Sequence, residues 1–310
     1  MPFRSENFNR IIDALDVKYI KASKRAVIKP VELVNTLEQK DVLVQVNSGF
    51  FSAGINHQVL EPGVLYFIPR GQPIYFRHGS GPYHVMGHEG FTSVEEREIY
   101  LQPIGLSPVP KDKDVFTILG LDALVHGAIP FFPILQLPCL NLGSDKTISD
   151  LLQKILQEEE GSQIGRITLT RKLTEELVVH LCRFIFTSPD LTVNVEKLEF
   201  LLDKRLISII QYIQENLEKD LSNHKIASLA YVSKDYVGQF FKTLTNHNLQ
   251  EYIENRRLEH AHFLLRTTND NIQEIASKVG FKDPAYFSRR FKIRFSQNAK
   301  EIRKSEFMVM

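Results

Sequence analysis

The stretch Ile275-Ala-Ser-Lys-Val-Gly-Phe281, with Asp283-Pro-Ala-Tyr-Phe-Ser-Arg-Arg-Phe-Lys292 after it, repeats a pattern met about fifty residues earlier. The earlier copy is Ile226-Ala-Ser228 followed by Tyr236-Val-Gly-Gln-Phe-Phe-Lys242. Self-similarity of this kind marks a duplicated structural unit. Each copy reads as a short helix, a tight turn and a second helix. Ser233 stands where an N-cap belongs in the first copy. In the second, Asp283 caps and Pro284 takes the first helical position, where its missing N–H costs nothing. Helical spacing sends Val237, Phe240, Phe241 and Leu244 into a core, and likewise Phe287, Phe291 and Phe295. Asp235, Gly238, Gln239 and Lys242 are left on the exposed side of one helix, and Ala285, Ser288, Arg289 and Lys292 on that of the other.

Helix–turn–helix pairs lay their second helix in the DNA major groove. The segment between the copies, Leu249–Leu265, has no Pro or Gly and reads as one helix, roughly 25 Å long at about 1.5 Å per residue. With the packed helix bodies at its ends, the two recognition helices would stand about 34 Å apart, one turn of B-DNA. An ordinary helical bundle explains a single pair of this kind. Two matched copies joined by a helix of that length favour one chain reading two successive major grooves.

Charge supports the division. The chain of 310 residues carries 38 Lys/Arg against 37 Asp/Glu, which by itself argues against a polyanion partner. Counted separately, 203–310 holds 18 basic and 13 acidic residues, a net of +5, and 1–202 holds 20 and 24, a net of −4. Such asymmetry points to one part that meets nucleic acid and one that does not. At 43% hydrophobic and 24% charged the chain is neither disordered nor membranous. The start, MPFRSENFNR, is too polar for a signal peptide, and Gly127–Gly143 is interrupted by Pro130, Pro133 and Pro138. Cys139 and Cys182 are two, far apart and without a CxxC, as expected of reduced thiols in the cytoplasm. No membrane partner is expected.

The first half follows another period. Asp41–Val46, Phe50–Ile55, Gln58–Leu60, Val64–Ile68 and Ile74–Phe76 are β-rich runs between Gly/Pro turns, the pattern of a sandwich or barrel. Residues 100–143 hold six prolines and read as loops, strand and a short helix. From Thr147 the period becomes helical: Ile148, Leu151, Leu152, Ile155 and Leu156 form one apolar stripe, and a second helix spans Arg166–Phe186. The stripe either covers the barrel of its own chain or pairs with a second copy. Its width favours a homodimer interface through Ile148, Leu151, Leu152 and Ile155.

At these residues a family resemblance becomes specific. Leu202–Lys304 resembles the DNA-binding domain of the AraC/XylS transcription regulators, most closely over Ile275–Phe281 and Tyr286–Lys292. Tyr252-Ile253 and Arg256-Arg-Leu258 with Ala261, Leu264 and Leu265 resemble that family's linker helix. There are departures. The Gly usual in the first tight turn is Tyr231. The Gly and Pro usual after each recognition helix are Asn246 and Leu249, then Ser296 and Ala299. The resemblance implies double-stranded DNA as partner, with Lys234, Lys242 and Lys292 on phosphates and Asp235, Gln239, Ser288 and Arg289 on bases. Gly238 and Ala285 share those faces. Arg pairs bidentately with guanine, so Arg289 is the expected principal reader. RNA polymerase is a further partner that the family implies.

Gly63–Ile74 resembles the second motif of cupin barrels, which serve as sensor halves in such regulators. Cupins are often metalloenzymes, but the position of the motif's metal-binding His is Ile74 here. The HxH…E set of the first motif is missing, so neither metal catalysis nor a cofactor is expected. His84, Met86 and His88 alternate, and His78 continues the parity of Ile74 and Phe76. Facing inward, Tyr66, Ile74, Phe76, His84, Met86 and His88 would line an apolar effector pocket with a few polar groups, and three imidazoles there would suit an adventitious zinc. A slip of parity through Gly79–Pro82 would instead leave some of these histidines in solvent. The expectation is therefore α+β. A cupin-like β-barrel at about 20–143 and helices at about 147–186 form domain 1–186. A linker follows at 187–202. The all-α domain, 203–310, carries two helix–turn–helix units. The implied function is a non-enzymatic, effector-responsive regulator that reads specific DNA.

Overall fold

A computed structural model describes residues 5–307, apart from 38–39, 55, 72, 88–93, 109–112, 128, 189–190, 192–194, 246, 269 and 296–297. It divides into two units, Met1–Leu198 and Glu199–Met310. Among the described residues no helix is long and apolar enough to cross a membrane.

The first unit opens with α1 (Ser5–Asp13) and then alternates strands with few helices. Its strands are β1 (Leu15–Val27), β2 (Val31–Leu37), β3 (Asp41–Ser48), β4 (Phe51–Ala53), β5 (Gln58–Leu60), β6 (Leu65–Ile68), β7 (Pro73–His78), β8 (His84–Met86), β9 (Leu101–Pro103), β10 (Val115–Val125), β11 (Ile129–Pro130) and β12 (Leu140–Gly143). Two short helices, α2 (Val94–Tyr100) and α3 (Phe131–Ile134), lie among them, and α4 (Lys146–Glu160) and α5 (Arg166–Thr187) follow. One sheet runs β12-β6-β3-β10-β1-β9, with β11 beside β10, and the other runs β5-β4-β7-β2-β8. The five runs expected between 41 and 76 fall on β3 to β7. The long antiparallel pair of β1 and β10, which centres the larger sheet, lies outside them. Val44, Phe51, Phe76 and Phe116 are buried in a single apolar cluster built from strands of both sheets.

The stripe on α4 needs correcting. Ile148, Leu152 and Ile155 are fully buried and Leu151 nearly so within this one chain. The helix packs against α5 and β1, which consume its apolar face. Asp145 caps its start by accepting from the Ile148 N–H at 2.9 Å. Its outer face is Asp150, Gln153, Lys154 and Gln157, all exposed. These four leucines and isoleucines are therefore intramolecular core, not a surface for a second copy.

The second unit is helical: α6 (Lys204–Glu215), α7 (Asn223–Ala230), α8 (Val237–Thr245), α9 (Leu249–Thr267), α10 (Ile272–Lys278), α11 (Pro284–Phe295) and α12 (Ala299–Phe307). Of the linker expected at 187–202, Val195–Leu202 is 3-10 helix. Side-chain caps set the helix starts. The Asn248 carboxamide accepts from the Gln250 N–H at 2.9 Å. Asn271 and Glu274 close a reciprocal capping box, as do Asn298 and Glu301.

Candidate functional site

Each helix–turn–helix pair is built from apolar anchors inward and a polar face outward. In α8, Val237, Phe240 and Phe241 are buried, and Leu244 is half-buried. In α11, Phe287 and Phe291 are fully buried, and Phe295 is half-buried on the ring of Phe291 at 4.7 Å. These anchors fix the rotation of both helices. Of the nine expected DNA-contacting residues, Lys234, Asp235, Gln239, Lys242, Ala285, Ser288, Arg289 and Lys292 are exposed, and Gly238 is half-buried. Gln239 donates along its own helix to Thr243 at 3.2 Å, and the Ser288 hydroxyl to the Pro284 carbonyl at 2.9 Å. Both bonds are local and exposed, so exchanging them for bonds to a base costs little.

The helix starts differ. Asp283 accepts from the Ala285 N–H at 2.8 Å, and α11 begins at Pro284. Ser233 accepts from the Tyr236 N–H at 3.2 Å, but regular helix begins only at Val237. Lys234 and Asp235 thus stand in the turn ahead of α8 rather than on the helix.

The joining helix, α9, has 19 residues, roughly 28 Å at about 1.5 Å per residue. It also grips α11. The Tyr286 hydroxyl and the Arg290 guanidinium both donate to Glu254, and Arg294 donates to Glu259 at 3.2 Å. Glu259 takes Arg256 of its own helix as well. Glu254 beside Arg290 holds that guanidinium above its ordinary pKa. The first helix–turn–helix pair is fastened differently: Arg205 of α6 lies over the Phe240 ring at 4.8 Å.

The first unit contains a cavity of about 240 Å³ lined from both sheets and from α2. Of the residues expected to hold an effector, Phe76 lines it. Tyr66 and Met86 are buried in the surrounding core. Ile74 lies in β7, paired with Thr36, and His88 lies outside the described residues. His84 is corrected: it is exposed and stacks on the Tyr100 ring at 4.8 Å. Strand β8 has three residues and among the described residues pairs, in parallel, only with β2; the ring packs on Tyr100 of α2. His78 does line the cavity. Among the described residues no three His, Cys, Asp or Glu side chains converge as a metal site would require.

A family model for a helix-turn-helix domain matches residues 226–305. The regulatory protein SoxS of Salmonella typhimurium is 34% identical over 96 residues, 31% of this chain and 90% of that protein. The chain belongs to the AraC-type helix-turn-helix regulators. The lactose operon transcription activator of Staphylococcus xylosus is 21% identical over 269 residues, covering 83% of this regulator and 89% of that protein. A solved transcriptional regulator of Chromobacterium violaceum, described as containing an AraC-type DNA-binding domain, is 27% identical over 32% of this chain and 89% of that one, with a TM-score of 0.31. This AraC-type protein is a DNA-binding transcription regulator and not an enzyme.

Sequence reasoning missed how the regulator holds α11, because Glu254 and Glu259 read as ordinary surface charges of a long helix. The available signal was the run of four basic residues in α11, which needs counter-charge nearby. It also missed Arg257, whose guanidinium donates to the carbonyls of Leu217 at 2.9 Å and Lys219 at 2.8 Å. Arg257 thereby ties the α6–α7 connection to α9.

Proposed function

We propose that this AraC-type regulator reads a specific DNA site through both helix–turn–helix units, under the control of a small molecule held between the sheets of its first unit. Functionally, residues 1–186 are the sensor, with a cupin-like arrangement of sheets around a cavity, and 203–310 are the reading domain. Lys234, Lys242 and Lys292 meet phosphates and set register, while Asp235, Gln239, Ser288 and Arg289 face base edges. Gly238 and Ala285 keep those faces free of bulk.

The observation that carries the sensor reading is the cavity itself. Two sheets that merely served as scaffold would close on each other at interior density. Here they leave about 240 Å³ with apolar walls and a few polar groups, somewhat below the ~300–1,000 Å³ typical of pockets for drug-sized ligands. The test is a small-metabolite screen by thermal shift on the full chain, followed by DNA affinity with and without each hit. A true effector is expected to change specific-DNA affinity by at least about fivefold, the lower bound of ordinary allosteric coupling. If no metabolite stabilises the protein or alters DNA affinity, the sensor reading fails, and the sheet-rich unit serves assembly alone.

A further inference from the structure

The cavity is asymmetric in charge. Arg25, Arg97, Lys21 and Lys40 line it, and among the described residues no carboxylate does. Lys21 and Lys40 are exposed, whereas Arg25 is only 7% exposed. Arg25 donates one N–H to the Leu101 carbonyl at 2.9 Å, and a guanidinium has five to place. Its pKa is lowered by burial first and by the positive charge of Arg97 second. Exposed Glu98 offsets this in third place. A guanidinium this deeply buried beside an apolar void, with one hydrogen bond made, is costly to hold unless an anion reaches it.

His78 supplies a second, independent sign. It is buried, and its Nδ1 has no hydrogen-bond partner. Burial pushes its pKa down to about 3, so the imidazole is neutral at physiological pH. It is boxed by Phe76, Phe51 and Phe116, with ring centroids at 5.0, 5.5 and 4.7 Å. Arg25 sits directly opposite Phe116 across the β1–β10 pair. Arg25, His78 and Phe116 all line the cavity. The rest of the wall, with Leu33, Val42, Val44 and Ile68, is hydrocarbon. A bulge in β1 at Ile20 lets consecutive Ile20 and Lys21 both reach the lining, as bulges beside binding sites commonly do.

We propose that the cavity takes a compact organic monocarboxylate, its carboxylate on Arg25 and His78 and its apolar body against Val42, Val44, Phe76 and Phe116. Charge-assisted bonds from Arg25 neutralise the head group, and His78 Nδ1 meets its second oxygen. About 240 Å³ accommodates a ring or a short branched chain. This proposal rests on the sensor reading, and the test separates the two.

Benzoate, 3-phenylpropanoate and 4-methylpentanoate are titrated into the full chain by calorimetry at constant ionic strength and pH 7. Their neutral amides, glucose and inorganic phosphate are titrated alongside. At least one carboxylate should bind, with its amide at least tenfold weaker. Arg25→Met should remove that preference, and Arg25→Lys should keep part of it. The acid–amide comparison on the wild-type protein stands even if the variants fold poorly. Equal binding of acid and amide, or binding of glucose alone, overturns the anion assignment and leaves the sensor standing. Binding of phosphate alone overturns the organic body. If none of these probes binds while another metabolite from the broader screen does, the monocarboxylate falls and the sensor survives. If no small molecule of any charge binds, both fall.

Discussion

Tyr231 and Gly280 occupy the same place in two copies of one motif, and they differ because of what lies beside them. Both are left-handed, Tyr231 at φ 53° and Gly280 at φ 88°. Both end the first helix of their pair, and in both the following N–H reaches back five residues, Val232 to Ala227 at 3.2 Å and Phe281 to Ala276 at 2.9 Å. Tyr231 is 95% exposed, so its side chain meets nothing and only the backbone strain remains. A Cβ on Gly280 would fall 2.5 Å from the Leu217 carbonyl oxygen and 2.8 Å from the Arg257 guanidinium. The second helix–turn–helix pair is locked at this turn against Leu217 and against Arg257 of the joining helix, and admits no side chain there. The first helix–turn–helix pair is open at that turn and tolerates one at a cost in strain.

The recognition helices differ in the same sense. Helix α11 carries Arg289, Arg290, Lys292 and Arg294 with no acidic residue, and two of these are held by carboxylates of α9. Helix α8 carries Lys242 as its one basic residue. On the proposed reading, the well-held, basic helix is expected to be the stronger reader. The less charged helix, with Lys234 and Asp235 in the turn ahead of it, is expected to add register more than discrimination.

Four substitutions try this contrast, in order of falling effect. Gly280→Tyr imposes on the second copy what the first accepts. It should lower stability by on the order of 2–4 kcal/mol, through left-handed strain and a backbone clash. Urea unfolding would show this as a lower midpoint, and an unchanged midpoint would mean the two turns are equivalent. Arg289→Ala should cost about 1–3 kcal/mol on the preferred DNA site and relax one position of it. Uniform weakening on all sequences would make Arg289 a phosphate contact. The reverse exchange, Tyr231→Gly, should stabilise by roughly 1 kcal/mol, because the strain vanishes and no packing is lost. Thermal denaturation reads the sign. Smallest, Lys242→Ala and Lys292→Ala should each reduce the slope of log affinity against log salt by about 1. A slope unaltered by either variant removes that lysine from the phosphate contacts.

Much of this contrast is legible in the sequence. The duplicated phenylalanines set the rotation of both recognition helices, and eight of nine expected contact residues are exposed accordingly. Elements that failed did so for physical reasons. Strand β1 contains Lys18, Lys21, Lys24 and Arg25, which look like solvated charge, yet Lys24 and Arg25 are buried and bonded to the Ser107 and Leu101 carbonyls. Alternation placed His84 and Met86 on one face, but a three-residue strand cannot say what that face meets. The stripe on α4 had the right rotation and the wrong partner, since amphipathicity does not distinguish a chain's own sheet from a second copy. Arg25 and His78 reach the cavity from strands about fifty residues apart, a juxtaposition that only the pairing of β1 with β10 and the packing of the two sheets create.

The central claim is that one chain reads two successive major grooves, with the second helix dominant. Its most direct test is a profile of every single-base substitution across the bound site, for the wild type, Gln239→Ala and Arg289→Ala. The account predicts two clusters of sensitive positions about 10 base pairs apart, the stronger flattened by Arg289→Ala and the weaker by Gln239→Ala. A single cluster in the wild type, or one cluster altered by both variants, would contradict it.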